Sequence, residues 1–216
     1  MVNLKINGIS VSVPEGSTIL QAAAAANVEI PTLCYLKGVN CAGSCRMCVV
    51  EATGARGLVA ACVYPVSEGM EVQTNTPKCR QSRKMTLELL LSSHKKKCLS
   101  CLRNTSCELQ RLSLEYGADE DRFASAKPDT PLDTSSPFLI RDNDKCINCR
   151  RCVAACKNLQ SVEAIGPIGR GYAVHIGAAF ERPTIESNCV GCGQCIVACP
   201  VGALTEKSNV DEVWKA

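Results

Sequence analysis

The cysteines of this chain fall into groups whose spacings suit iron and sulfide. Cys146, Cys149, Cys152 and Cys156 form a C-x2-C-x2-C-x3-C run, which recurs 43 residues later as Cys189, Cys192, Cys195 and Cys199. Thiolates spaced by two residues let one loop wrap three corners of a [4Fe-4S] cubane, and in duplicated runs of this kind the fourth cysteine serves the other cluster. The expected assignment is therefore crossed. Cys146, Cys149, Cys152 and Cys199 hold one [4Fe-4S] cluster, and Cys189, Cys192, Cys195 and Cys156 hold the second. Pro200 completes the motif after Cys199, whereas Lys157 stands at the matching place in the first run. A structural zinc site would instead ask for two C-x2-C pairs.

Upstream, Cys34, Cys45, Cys48 and Cys62 give C-x10-C-x2-C-x13-C, the plant-type [2Fe-2S] arrangement with a longer first loop. Gly38 and Gly43 would let that loop's backbone close around a cluster and donate hydrogen bonds. Cys41 competes for the first position, but Cys34 follows Pro31-Thr32-Leu33 and preserves the fuller spacing, so Cys41 is read as a bystander. Between these groups lie His94, Cys98, Cys101 and Cys107. Three cysteines leave a cubane one ligand short. A lone histidine at a helix end, beside Lys95 to Lys97, commonly does no more than interact with the helix dipole. His94, however, falls where the fourth ligand is missing, and it is read as the ligand of a third [4Fe-4S] cluster. Imidazole in place of thiolate makes such a cluster less negative and raises its potential.

Seventeen cysteines and only 4% aromatic residues imply that something besides packing cross-links the fold. Disulfides are disfavoured by the odd count and by an N-terminus without signal-peptide features, which together suggest a reducing, cytoplasmic setting. No apolar run is long enough to span a bilayer, so direct membrane insertion is not expected. The formal charge of +3 counts cysteines as neutral thiols; with four clusters bound it becomes about −4, and it carries no nucleic-acid inference. Cys79 reads as a small buried hydrophobe and His175 as structural.

The elements that must position these groups are α+β. Residues 2–13 alternate around Asn7-Gly8, the signature of a β-hairpin. Ser17 or Thr18 caps an Ala-rich helix to about Asn27, and Met47 to Ala52, Leu58 to Val63 and Met70 to Thr74 are strand-like. These define a β-grasp [2Fe-2S] ferredoxin-like domain over residues 1–76. Residues 77–126 read as a small helical [4Fe-4S] module with one histidine and three cysteine ligands, helical from Pro77 to Ser93 and from Ser106 to Tyr116. Residues 127–137, Pro-rich and without period, read as a linker. Residues 138–206 read as a pseudo-twofold bacterial-type 2[4Fe-4S] ferredoxin domain, with the start of a helix from about Thr205 to the end of the sequence, assigned as a segment to 207–216.

This order of groups resembles the small diaphorase-type iron-sulfur subunit of NAD-reducing hydrogenases, the N-terminal electron-input region of iron-only hydrogenases, and the start of the large iron-sulfur subunit of NADH dehydrogenase and related formate dehydrogenases. Its carriers are Pro31 to Tyr35, Gly43 to Cys48, His94 with its three cysteines, Cys189 to Pro200, and Thr205 to Ser208. The resemblance implies an electron-transfer subunit between a flavin-containing NAD(P)H-binding subunit and a hydrogenase or formate dehydrogenase catalytic subunit. In the iron-only hydrogenases the last of these motifs leads into a catalytic domain, whereas this sequence stops at Ala216. No G-x-G-x-x-G after a strand, P-loop or nickel-type cysteine pair is present, so no active site or nucleotide site is expected in this stretch. The alternatives are the accessory-cluster portion of an iron-only hydrogenase and, from another class, a freely diffusing multi-cluster carrier.

Overall fold

A computed structural model describes residues 1–216. The chain separates into two compact units, Met1–Leu90 with Arg111–Phe123, and Leu91–Gln110 with Ala124–Ala216.

The first unit is built on a five-stranded sheet. β1 (Val2–Ile6) turns through Asn7 and Gly8, both at positive φ, into antiparallel β2 (Ile9–Val13), with Ile6 opposite Ile9. A two-residue hairpin needs that left-handed backbone at both positions, which Asn and Gly adopt with least strain. α1 (Ile19–Ala25) starts at a capping box, where Thr18 Oγ1 accepts from the Gln21 N–H and Gln21 Oε1 accepts from the Thr18 N–H. Its buried face, including Ile19, Leu20 and Ala23, joins Leu4, Ile6, Val50 and Val72 in the core. β3 (Val49–Ala52), β4 (Val59–Ala60) and β5 (Glu71–Gln73) complete the order β2-β1-β5-β3-β4, with β1 and β5 parallel. The strand expected over residues 58–63 is only two residues long, because Ala60 begins a turn in which both Val63 and Tyr64 donate to its carbonyl. That turn holds Cys62.

α2 (Pro77–Ser92) and α3 (Glu108–Glu115) follow. Within the first unit, Arg83 is 2% exposed and donates to the carbonyls of Val49 and Thr74, each at 2.7 Å, and to the Tyr116 hydroxyl. It thereby staples α2 to the sheet.

In the second unit, β6 (Leu139–Arg141) pairs with β9 (Leu204–Glu206), and β7 (Gly166–Ile168) with β8 (His175–Gly177). α4 (Arg151–Ala154), which runs into a π-helical turn at Ala155–Leu159, and α5 (Gln194–Ala198) each carry a cysteine. α6 (Val210–Lys215) closes the described chain. Thr205 and Glu206, expected to open a terminal helix, lie instead in β9: the pairing of Ile140 with Thr205 holds them extended, and helix begins only at Val210. The Pro-rich stretch is tied down on this unit. Lys127 donates to the carbonyls of Asn143 and Cys146, Thr130 bonds Asp144, and Asp133 exchanges backbone bonds with Arg141. No helix is long and apolar enough to cross a membrane.

Candidate metal centres

In the first unit, Cys34, Cys45 and Cys48 sit on the loop between α1 and β3. Gly38, Gly43 and Arg46 turn it through left-handed conformations. The loop aims amides at sulfur: Cys34 N–H reaches Cys45 Sγ at 3.4 Å, while Cys45 N–H reaches Cys34 Sγ and Met47 N–H reaches Cys45 Sγ, both at 3.5 Å. The thiols form two pairs. A hydrogen bond from Cys45 holds Cys34 down at about 5 against the opposing effect of burial, and a bond from Cys62 holds Cys48 at about 7. Cys45 and Cys62, which keep the protons, are pushed upward. Cys41 is exposed and donates to the carbonyl of Cys62 at 2.7 Å. Cys79 is buried.

In the second unit, His94, Cys98, Cys101 and Cys107 line one cavity together with Arg103, Asn104 and Gly202. The His94 ring is buried, which lowers its pKa, and its Nδ1 lies 2.9 Å from the Lys145 carbonyl oxygen. A carbonyl can only accept, so Nδ1 carries the hydrogen and Nε2 keeps its lone pair free for a metal. The Lys95 N–H donates to the Asp144 carbonyl beside it. Gly202 has no room for a side chain, since a Cβ there would stand 2.5 Å from Cys101 Sγ.

A second cavity is lined by Cys146, Cys149, Cys152 and Cys199 with Arg141, Ile176 and Val201. Burial pushes the Cys149 thiol up to about 12 and Cys152 well above its ordinary value, and both also feel Cys146 and Cys199. Cys195 is pushed up to about 11, first by burial and then by Cys189, Cys192 and, more weakly, Cys156. Cys192 is exposed to solvent. The two cysteine runs share a backbone device: Asn148 and Arg150 in the first, and Gly191 and Gly193 at the equivalent places in the second, all have positive φ. His175 lies apart, with Nδ1 3.0 Å from the Ala173 carbonyl.

The donor sets fit iron-sulfur clusters on two counts. The His94 group and the Cys146 group each stand around a cavity rather than converging on one point. Moreover, the Arg141 side chain is buried on the Cys146 cavity with its Nε unpartnered, an arrangement that an anionic group in the cavity would relieve. Sequence reasoning missed Arg141, although a charge ending the apolar strand Leu139-Ile140-Arg141 is the signal that could have found it.

Three family models match successive parts of the chain: a 2Fe-2S iron-sulfur cluster binding domain over residues 1–77, the NADH-ubiquinone oxidoreductase-G iron-sulfur binding region over residues 83–122, and a 4Fe-4S dicluster domain over residues 140–205. A chain in the crystal structure of an NAD+-reducing [NiFe]-hydrogenase in the H2-reduced state superposes with a TM-score of 0.88 at 31% identity, covering 96% of this chain and 88% of that one. The chain belongs to the family of that hydrogenase chain. Other members of the wider family are larger. The NADP-reducing hydrogenase subunit HndD of Solidesulfovibrio fructosivorans is 42% identical across 100% of this chain but 38% of its own length. The NADH-ubiquinone oxidoreductase 75 kDa subunit of Reclinomonas americana is 38% identical across 96% of this chain and 30% of its own. The chain thus spans about a third of the curated relatives it matches. The chain has 2Fe-2S and 4Fe-4S ferredoxin-type domains on a mixed helix and strand scaffold.

Proposed function

We propose that this subunit is the electron relay of a cytoplasmic multisubunit oxidoreductase. It joins a flavin-containing NAD(P)H-binding subunit to a hydrogenase or formate dehydrogenase catalytic subunit, and holds one [2Fe-2S] and three [4Fe-4S] clusters. When bound, the clusters supply reversible one-electron transfer. The protein's own part is to hold, insulate and bias them. Cys34 with Cys45, and Cys48 with Cys62, are the two thiol pairs available to the two irons of the [2Fe-2S] site. His94 Nε2 with Cys98, Cys101 and Cys107 holds one cubane. Cys146, Cys149, Cys152 and Cys199 hold the second, and Cys189, Cys192, Cys195 and Cys156 the third. The equivalent left-handed residues in the two runs support a pseudo-twofold dicluster domain with crossed ligation.

The observation that carries this proposal is how closely the His94 group is seated on the Cys146 group. His94 bonds the carbonyl next to Cys146, the Glu108 N–H next to Cys107 donates to the carbonyl of Pro200 next to Cys199, and Cys101 abuts Gly202. Two ligand loops locked together at three places form a rigid conduit, as a relay requires and an isolated storage site does not.

Anaerobic purification from native cells, with iron and sulfide counted and co-purifying chains identified, tests the proposal. About fourteen irons per chain, together with a flavoprotein and a catalytic subunit, is the expected result. The 42% identity to HndD across the whole chain favours, as a second reading, the accessory-cluster region of a longer hydrogenase polypeptide. Recovery of the iron on such a polypeptide would establish it.

A further inference from the structure

We infer that Arg141 is a potential-setting residue: a buried, unneutralised guanidinium on the wall of the Cys146 cavity that holds the cubane there at a higher reduction potential than its four thiolates alone would give. The inference rests on the cluster assignment proposed above.

Arg141 is 4% exposed. Its backbone is fully engaged, pairing with Leu204 across β9 and exchanging hydrogen bonds with Asp133, so β6 fixes where the side chain starts. The side chain itself enters no ion pair, and its Nε has no partner. The nearby carboxylates are committed elsewhere. Asp133 accepts from Ser135 and Thr184, Asp142 pairs with Lys145 at 3.2 Å, and Asp144 takes Lys95 and Thr130. Glu181, which lines the pocket on the other side of Arg141, faces His175. By contrast, the buried Arg151 is neutralised by a two-pronged pair with Glu108, and Arg103 is spent on the Ile196 carbonyl. Of the two buried arginines of the second unit, Arg141 is the one without a counter-charge of its own.

An unpaired buried guanidinium is costly unless something anionic answers it. The cavity that it lines with Cys146, Cys149, Cys152 and Cys199 is where that anion would sit. One-electron reduction takes a four-thiolate cubane from about −2 to about −3. A fixed cation in a low-dielectric wall favours the more negative state and so raises the potential.

The test is a dithionite titration of the anaerobic full chain, followed by electron paramagnetic resonance, for wild type, Arg141→Gln and Arg141→Lys. In R141Q one [4Fe-4S] signal should become at least tenfold more oxidised at a fixed ambient potential, which is 59 mV for a one-electron couple. The His-ligated and [2Fe-2S] signals should stay in place, and R141K should restore most of the shift. Full iron loading of R141Q with every potential unchanged would overturn the inference, and so would equal shifts in R141Q and R141K. If R141Q fails to load four irons, R141K decides: loading at near wild-type potential upholds the need for a cation, and loss from both variants assigns Arg141 to packing instead. Wild-type protein without any [4Fe-4S] signal would remove the cluster assignment, and this inference with it.

Discussion

Glu108 receives both Nη groups of Arg151, at 2.7 and 2.9 Å. The residues follow Cys107 and precede Cys152, so a single ion pair braces two ligand loops of the second unit. The Arg151 side chain is 7% exposed and that of Glu108 39%, which makes the two halves of the pair unequal. Glu108→Gln strands a buried charge and should cost about 2 kcal/mol, whereas Arg151→Met removes the buried charge and leaves the part-exposed Glu108 to water, and should cost less. A double-mutant cycle on urea midpoints, run anaerobically, measures the difference. A milder effect from E108Q than from R151M would mean that the pair is not held as described.

His94→Ala should lower the iron content from about fourteen to about ten per chain, with the other centres kept. His94→Cys should restore the four irons at a lower potential, because a thiolate adds a unit of negative charge. Iron analysis with a redox titration checks both steps. Full iron content in H94A would exclude His94 as a ligand.

Arg83→Met should destabilise the first unit by about 3 kcal/mol, since it leaves the buried carbonyls of Val49 and Thr74 without donors. Tyr116→Phe, which removes one contact of the same cluster, should cost about 1 kcal/mol. Chemical denaturation followed by the [2Fe-2S] absorption band separates the two. Equal costs would show that the hydroxyl, rather than the carbonyls, anchors Arg83.

Asp133 gives a pH-dependent signature. Burial would raise its pKa, but donors from Ser135 and Thr184 outweigh it and hold the carboxyl at about 2. A folded value below the unfolded one of about 3.9 means stability that is complete above that pH and lost as pH falls toward 2. The gap in urea midpoint between wild type and Asp133→Asn should therefore be flat from pH 8 to about 5 and close on further acidification. Acid loss of metal affects both proteins, so the gap is the quantity to read. A gap that widens in acid would contradict the assignment.

What was legible in the sequence was local. The Asn7-Gly8 hairpin, the Thr18 cap, the helix from Pro77 and the 43-residue repeat each carry their own turn chemistry or period, and each has its counterpart in the structure. The short pairings were not legible. Thr205 and Glu206 are extended only because Leu139 to Arg141 lie beside them, and β4 is cut short by a turn whose bonds converge on one carbonyl. Cysteine spacing named candidate ligands, because a loop around a cluster has a fixed reach. It could not show the Lys145 carbonyl that fixes the His94 tautomer, nor the unpaired charge of Arg141, since both depend on residues distant in sequence from the groups they serve.

The bare α-carbon of Gly202 against Cys101 also sets a timetable for biosynthesis. Chains emerge N-terminus first, and the sheet of the first unit is complete once β5 has appeared at residue 73. The pocket around His94 must wait for more than a hundred further residues, because Pro200 and Gly202 form part of its wall. Under the proposed assignment, the walls of the two-iron site are synthesised well before those of the histidine site, which are complete only when synthesis has passed the last cysteine.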